Sequence, residues 1–389
     1  MIRLGATVSA LAFGLIPVTD AMGGDPGTDP VGRQIDDLVR PASGIVSDSL
    51  KTERVVMPIP VSNPTVGTGL AVATMFLYRL DEQSPSSSST FGGAYTNSGT
   101  WGGGFSQKTF FSQDRYRFNL IAGYVDANVD FFGIGTSAGD QATGIPISQA
   151  GTVALPEFSV RTVSDTYLGL RYRYLSVTTS SGSWDQLVSD IGDLVPGSSG
   201  AIPDKFRTVS AGPGVVISYD SRDNPLNAYR GTSLNLQTDF MREGFGSDHD
   251  YTLSKLTATN YRGLGGRGVL AVQGFACATN GDTPFYELCM LGTSQNLRGY
   301  VGGQYRDQLL LSGQVEYRHR LPRRLGVTVF AGLGEVAPTW SAFSTDDMLP
   351  SWGLGLRWMA AEKHRVNVSV DYARGYDSEG WYFYIGEWF

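Results

Sequence analysis

From about residue 53 onward, apolar and polar side chains alternate along the chain with a period of two. That is the period of an extended strand whose faces meet different surroundings. The clearest run is 309–321. Leu311, Val315, Tyr317 and Leu321 share one parity, while Ser312, Gln314, Glu316, Arg318 and Arg320 share the other. Leu168, Leu170, Tyr172 and Tyr174 likewise oppose Arg171 and Arg173, and Trp352, Leu354, Leu356 and Trp358 oppose Arg357. A soluble sandwich also alternates, but its strands centre on ~5–6 residues. A greasy face backed by a charged one suits a wall between lipid and a wet lumen.

The pattern predicts an all-β fold, a 16-stranded antiparallel transmembrane β-barrel. Its strands are expected at 53–61, 66–79, 88–97, 100–111, 115–128, 155–163, 166–179, 206–219, 231–243, 249–262, 267–278, 308–321, 324–336, 350–359, 364–373 and 381–389. An even count places both barrel ends in the periplasm. The turns at Ser164-Asp165, 220–230, 262–266 and Pro322-Arg323 are then periplasmic and compact, and the segments 129–154, 180–205, 279–307 and 337–349 are outside and long. The outer segments carry Asp185, Asp190, Asp193, Asp346 and Asp347. These are either solvated loop acids or sites for divalent cations that bridge lipopolysaccharide. Outer-membrane lipid and lipopolysaccharide are the expected surroundings.

Composition narrows the reading. The 389 residues include 50 glycines, 12% aromatics and only 17% charged residues, against an ordinary ~25%. No apolar run approaches the ~20 residues that a membrane-spanning helix needs. A net charge of −7 with no basic stripe argues against nucleic acid as a partner. Arg3, the apolar stretch 4–18 and Ala21 read as a signal peptide over 1–21, followed by a short periplasmic segment, 22–52, with one helical turn at 35–39. The barrel domain is 53–389. Cys277 and Cys289 are either a disulfide of an exported protein or two unrelated thiols.

Signals for chemistry are weak. Gly135-Thr136-Ser137-Ala138-Gly139 fits a nucleophile-elbow pattern but lacks the strand-turn-helix setting that motif requires. Gly263, Gly265 and Gly268 read as turn glycines, because no βαβ unit follows. His249, His319 and His364 have no metal-ligand spacing. No enzyme activity, cofactor or metal is expected.

Three stretches carry a family resemblance. They are Leu297-Arg298-Gly299-Tyr300, then Tyr219-Asp220-Ser221-Arg222-Asp223-Asn224-Pro225 with Arg230-Gly231, and Pro58-Ile59-Pro60 through Gly67-Thr68-Gly69. Together they resemble the BamA/TamA-like superfamily of outer-membrane barrels, the bacterial surface antigen family, over residues 53–389. The second stretch is similar to that family's periplasmic turn, with Asp220, Arg222, Asp223, Pro225 and Gly231 as its key residues. The resemblance implies that loop 279–307 folds into the lumen, with Arg298, Gly299 and Tyr300 at its tip. A guanidinium there needs a carboxylate, and parity points to Glu316. The family usually has a second acid on the next strand, where this chain has Gly332; the expected latch therefore rests on Glu316 alone or on a displaced acid such as Glu335. The inward arginines Arg171, Arg173, Arg318, Arg320, Arg357 and Arg365 either bias a pore toward anions or pair with Asp239, Glu316 and Asp371.

The last strand is amphipathic. Trp381, Phe383, Ile385 and Phe389 are expected on one face, and Tyr382, Tyr384, Gly386 and Trp388 on the other. Ending on an aromatic resembles the signal read by the barrel assembly machinery, which makes that machinery the expected partner during insertion and Tyr384, Gly386, Trp388 and Phe389 the signal residues. Members that insert or secrete proteins usually carry periplasmic POTRA domains, and 22–52 is too short for one, so the resemblance is to a barrel-only branch. It implies a role in membrane biogenesis or in polypeptide or lipid translocation, by opening between the first and last strands. The alternative is a passive or gated pore, or a structural surface antigen.

Overall fold

The computed structural model describes residues 52–140, 144–182, 205–362 and 365–389. The expected signal peptide and N-terminal segment lie outside the described residues, as do Asp185, Asp190, Asp193 and His364. The first strands are β1 (Glu53–Asn63), β2 (Gly67–Tyr78), β3 (Ser87–Thr96), β4 (Trp101–Phe111) and β5 (Tyr116–Phe131). A one-turn helix, α1 (Thr136–Asp140), leads to β6 (Ile145–Val163), β7 (Thr166–Ser181), β8 (Lys205–Asp220), β9 (Gly231–Met241), β10 (Tyr251–Gly263) and β11 (Gly268–Gly281). Two very short strands, β12 (Cys289–Met290) and β13 (Arg306–Asp307), pair with each other. The wall resumes with β14 (Leu309–Arg320), β15 (Leu325–Ala337), β16 (Leu349–Ala361), β17 (Val366–Arg374) and β18 (Glu379–Ile385).

All strands except β12 and β13 form one antiparallel sheet of 16 strands in chain order. Its two edges, β1 and β18, lie beside each other. Among the described residues no hydrogen-bonded register joins them. The sheet is therefore a barrel that is nearly, not fully, closed.

Burial follows the alternation. Leu168 and Leu170 face outward, with Leu170 69% exposed, while Arg171 and Arg173 just beyond them are buried. Leu354 and Leu356 are exposed where Arg357 is buried, and Val315 and Tyr317 are exposed where Gln314, Glu316 and Arg318 are buried. Tight turns use the backbone that two-residue hairpins demand. Arg323 and Arg324 both have positive φ, at 61° and 64°.

Three boundaries differ from expectation. First, half of the outer segment 129–154 is strand, since β5 runs to Phe131 and β6 starts at Ile145. Here the rule inverts. Phe131, Ile145, Ile147, Val153 and Leu155 are buried, and they pack with Phe285, Tyr286 and Leu288 of the long loop. An apolar inner face with polar residues outside is the pattern of a wall that faces water, which masks a strand sought by its greasy outer side. Second, β1 runs to Asn63, past its expected end at residue 61, and pairs with β2 along its whole length of 11 residues.

Third, the last strand stops at Ile385 instead of running to Phe389. Gly386 takes a left-handed φ of 94°, and its N–H bonds to the Asn367 carbonyl at 2.7 Å. Past it the chain leaves the wall. Phe389 is 4% exposed and packs on Ala228, Tyr261 and Ala271, so it does not share the outward face of Trp381 and Phe383. A single left-handed residue resets the two-residue phase that the expected facing assumed.

A non-glycine residue in the left-handed region costs roughly 1–2 kcal/mol, and Asn tolerates it best. Gly386→Val is therefore expected to lower unfolding stability by about that amount, and Gly386→Asn by less. Urea midpoints followed by heat-modifiable gel migration measure both. Equal midpoints for the glycine and valine proteins would contradict the kink.

Candidate functional site

Three segments enter the lumen: the long loop 282–308, the tail 386–389 and the turn 221–230. The loop is fastened first by covalent chemistry. Cys289 is disulfide-bonded to Cys277 on β11, with Cα atoms 5.7 Å apart. It then builds a small apolar core. Leu291, Leu297, Tyr300 and Tyr305 pack with Leu253, Phe275, Leu310 and Val336 of the wall. Asn296 shapes the tip, accepting from the Thr293 amide at 3.1 Å and donating to the Met290 carbonyl at 2.9 Å.

Arg298 is fully buried. Its Nη2 lies 2.6 Å from Glu316 Oε2, and its Nη1 is paired with Asp371 Oδ2. Gln314 Oε1 accepts from Nε and Nη2 at 3.3 and 3.1 Å. The guanidinium sits 3.4 Å over the Phe330 ring and 5.1 Å from the Trp388 ring. Gly299, at φ 96°, passes so close to the wall that a Cβ would lie 2.7 Å from backbone atoms of Arg374 and Gly375. Its N–H donates to Tyr382 Oη at 2.8 Å, and its carbonyl accepts from Ser378 Oγ at 2.7 Å. Tyr300 donates its hydroxyl proton to the Pro350 carbonyl and accepts from the Tyr376 amide at 3.1 Å.

The second acid is thus Asp371, on β17, and not Glu335. Glu335 instead accepts from the Ser344 amide at 2.9 Å. Gly332 has a steric reason: a Cβ there would lie 2.6 Å from Leu297 Cδ2, so the glycine leaves room for the residue preceding Arg298. Parity had already turned Asp371 inward. What it lacked was distance across the lumen, because Asp371 is three strands from Glu316 in the wall.

The tail enters the same cluster. Glu387 accepts from Arg357 Nε at 2.8 Å and from Asn367 Nδ2 at 2.6 Å, and lies 3.6 Å from Arg318 Nε. Arg318 donates to Glu316 Oε1 and to the Phe389 main-chain oxygen, both at 2.6 Å. Arg357 pairs with Asp371 and donates to Tyr384 Oη at 2.9 Å, and that hydroxyl donates to Asp371 Oδ2 at 2.6 Å. Trp388 Nε1 donates to the Asn296 carbonyl of the loop at 3.2 Å. Three arginines and three carboxylates balance, and each of Glu316 and Asp371 divides its two oxygens between two arginines. Charged groups withdrawn from water need such compensation. Glu387 had no sequence signal, and Trp388 was expected only as part of the terminal assembly signal.

The turn 221–230 is larger in effect than its length suggests. Arg222 pairs with both Asp220 oxygens, at 2.8 and 2.6 Å, and caps the Pro225 carbonyl at 3.2 Å. A Cβ at Gly231, φ 111°, would strike the Ser221 carbonyl at 2.4 Å. Asp223 accepts from the Tyr229 and Arg230 amides and from Arg365, at 2.9, 3.2 and 2.7 Å. Burial works against its charge, but Arg365 and those amides outweigh it and hold the carboxyl below its ordinary value. Arg365 follows β16, six strands from β8 in the sheet order. The turn therefore bridges the mouth at the short-turn end of the barrel.

Of the other inward arginines, Arg320 has no acid partner among the described residues and donates to the Gly266 carbonyl at 2.7 Å, while two are paired. Arg171 binds Asp239, and Arg173 binds Glu287 of the loop at 2.8 Å. Ser137 stands exposed on α1, whose Gly139 makes space for the Tyr305 ring. His249 pairs with Asp282 at 2.6 Å, and His319 with the Tyr317 hydroxyl at 3.1 Å. Neither serves Ser137. Gly265 has a positive φ, at 70°, in the turn between β10 and β11.

The Omp85 superfamily domain matches this chain over residues 67–389. The chain belongs to the Omp85 superfamily. No curated protein matches it. Among solved structures, BamA from Haemophilus ducreyi lacking POTRA domains 1–3 aligns with TM-score 0.60 at 15% identity, covering 87% of this chain and 70% of that one. CdiB from Acinetobacter baumannii aligns at 0.52 and 10%, covering 85% and 59%. CdiB from Escherichia coli aligns at 0.53 and 10%, covering 87% and 63%. At these identities the likeness is one of fold.

Two expectations follow for this Omp85 barrel. Breaking a buried ion pair from one side costs ~3–5 kcal/mol. Arg298→Ala is expected at the low end, about 3 kcal/mol, because Glu316 and Asp371 each keep a second arginine. It should also expose 282–308 to protease, and Arg298→Lys, lacking the planar fork, should not restore protection. Thermal midpoints and timed proteolysis check this. Replacing Cys277 and Cys289 with serine should cost about 2–4 kcal/mol, with thiol alkylation of the native protein occurring only after reduction.

Proposed function

We propose that this chain works in the bacterial outer membrane, passing or inserting a polypeptide or lipid by opening the seam between β1 and β18, without bond-making chemistry. The short-turn end would face the periplasm. The observation that carries this reading is the seam. β1 pairs with β2 through 11 positions, whereas β18 has only seven residues and then bends inward at Gly386. Pro64 touches Gly380 across the long-loop end, so the unpaired stretch of β1 falls toward the short-turn end.

The sequence of β1 keeps the seam weak. Pro58 and Pro60 share one parity and have no N–H. Proline is tolerated in a sheet where its nitrogen points away from the paired neighbour. Paired with β2, these two residues therefore turn their missing donors toward β18. An edge with free groups can accept an added strand, and an edge short of donors cannot zip shut on its own neighbour.

Pro58→Val with Pro60→Val is expected to close the seam, raising the thermal midpoint by several degrees and reducing activity in the cell. The activity readout is outer-membrane proteomics with and without the gene, complemented by either version. Loss of other barrels or surface lipid upon deletion, restored by the native protein and poorly by the valine variant, is the expected result. An unchanged outer membrane upon deletion, alongside measurable bilayer conductance, would instead mark a pore or surface antigen.

A further inference from the structure

At the short-turn end the lumen keeps a cavity of about 270 Å³ beside the bridging turn. It is walled by β4, β5, β6, β8 and β9, well away from the Arg298 cluster. Lys108 points into it from β4 and is 9% exposed. Among the described residues, no carboxylate lies within ion-pair distance of its ammonium. Its electrostatic neighbours are two further cations, Arg117 and Arg222, and one acid, Glu157.

The two arginines are already committed. Arg222 is held by Asp220, and Arg117 by Asp114 at 2.7 Å. Glu157 is two strands away from Lys108, across Asn119, and is bonded by Ser159 Oγ at 3.0 Å and Asn119 Nδ2 at 3.5 Å. Directly across from Glu157 stands Arg171, itself paired with Asp239. A belt of alternating charge thus runs around this level of the wall and ends on Lys108. The cavity lining holds three cations and two carboxylates. With Arg117 matched by Asp114 and Arg222 by Asp220, the Lys108 ammonium is the lining cation with no contacting acid among the described residues, and it faces a water-sized-to-headgroup-sized space with hydroxyl and amide donors around it.

We propose that this vestibule is a binding site for an oxyanion, a phosphoryl or carboxylate group, with Lys108 as its anchor. A withdrawn ammonium is costly without a counter-charge, and a charge-assisted hydrogen bond from Lys108 to an oxyanion supplies one. Arg222 joins from the bridging turn, so an occupied site would also brace the turn against the wall. The volume suits a free anion or a polar headgroup, not acyl chains. The site does not depend on seam opening, and its failure would leave that reading intact.

The test uses the full chain, purified in non-ionic detergent at constant ionic strength near 0.15 M. The sequence has five lysines. Reductive ¹³C-methylation therefore gives few amine signals, and Lys108 is assigned by its loss in Lys108→Arg. Inorganic phosphate and acetate are titrated as soluble probes. Nanodiscs of phosphatidylglycerol are compared with nanodiscs of phosphatidylcholine as the lipid arm. The expected result is a saturable shift of the Lys108 signal, with calorimetric binding at least tenfold weaker in Lys108→Gln. Saturation by phosphate or acetate identifies a soluble oxyanion; saturation by phosphatidylglycerol alone identifies a headgroup. No saturable shift with any probe overturns the site. So does undiminished affinity in Lys108→Gln that still shows heat-modifiable migration. Should that variant not fold, the native Lys108 signal alone decides.

Discussion

A guanidinium sealed from water must be matched where it sits, and the arrangement of this barrel's interior depends on how Arg298 is matched. Its carboxylates come from β14 and β17, its ring partner Phe330 from β15, and its carbonyl is held by Ser351 of β16. Four consecutive wall strands thus converge on one loop residue. The glycines around it follow from that convergence. Gly332 clears Leu297, and Gly299 allows the backbone to lie against β17. A larger side chain at either place would push the fork away from its oxygens, and the bonds within it are short-range.

The medium outside the wall decides how the wall reads. Where lipid is expected, on the lower part of β7 and along β16, apolar residues point outward and charges inward. On the tall side formed by β5, β6 and β7, the inner face becomes apolar because the loop's Phe285, Tyr286 and Leu288 pack there. One strand can therefore carry both patterns in turn. β6 does so within 19 residues, burying Ile145 and Ile147 near one end and Glu157 and Ser159 near the other.

This sets what the sequence could disclose. Strand number, order and the inward parity of Arg171, Glu316 and Asp371 were legible, since each rests only on local alternation. The end of β18 was not. Alternation assumes extended backbone, and Gly386 breaks that assumption with a dihedral that an otherwise regular amphipathic run conceals. The partnership of Arg298 with Asp371 was equally hidden. Parity places a residue inside the barrel but gives no measure of the chord between strands. Pro58 and Pro60 carried a physical message as well as a family likeness: two missing donors on one parity mark an edge strand.

The shared carboxylates bear on whether the loop can leave. In an isolated buried pair, withdrawing the arginine strands its acid, and the cost is steep. Here Glu316 would keep Arg318, and Asp371 would keep Arg357, after Arg298 departs. The cluster would change from balanced to one net negative charge, while Arg298 regains water. The tail is drawn into the same event. Trp388 is bonded to Asn296 and lies beside Arg298, so withdrawing the loop removes its hydrogen-bond acceptor and its cation together. Glu387, through Arg357 and Asn367, and Phe389, through Arg318 and its packing on Ala228, Tyr261 and Ala271, still hold the tail off the wall. The tip beyond the Cys277–Cys289 disulfide is seated firmly by its number of contacts, yet the two acids that hold Arg298 each keep a second arginine without it. Loop and tail thus share the Trp388 contacts, and the tail continues the strand at the seam.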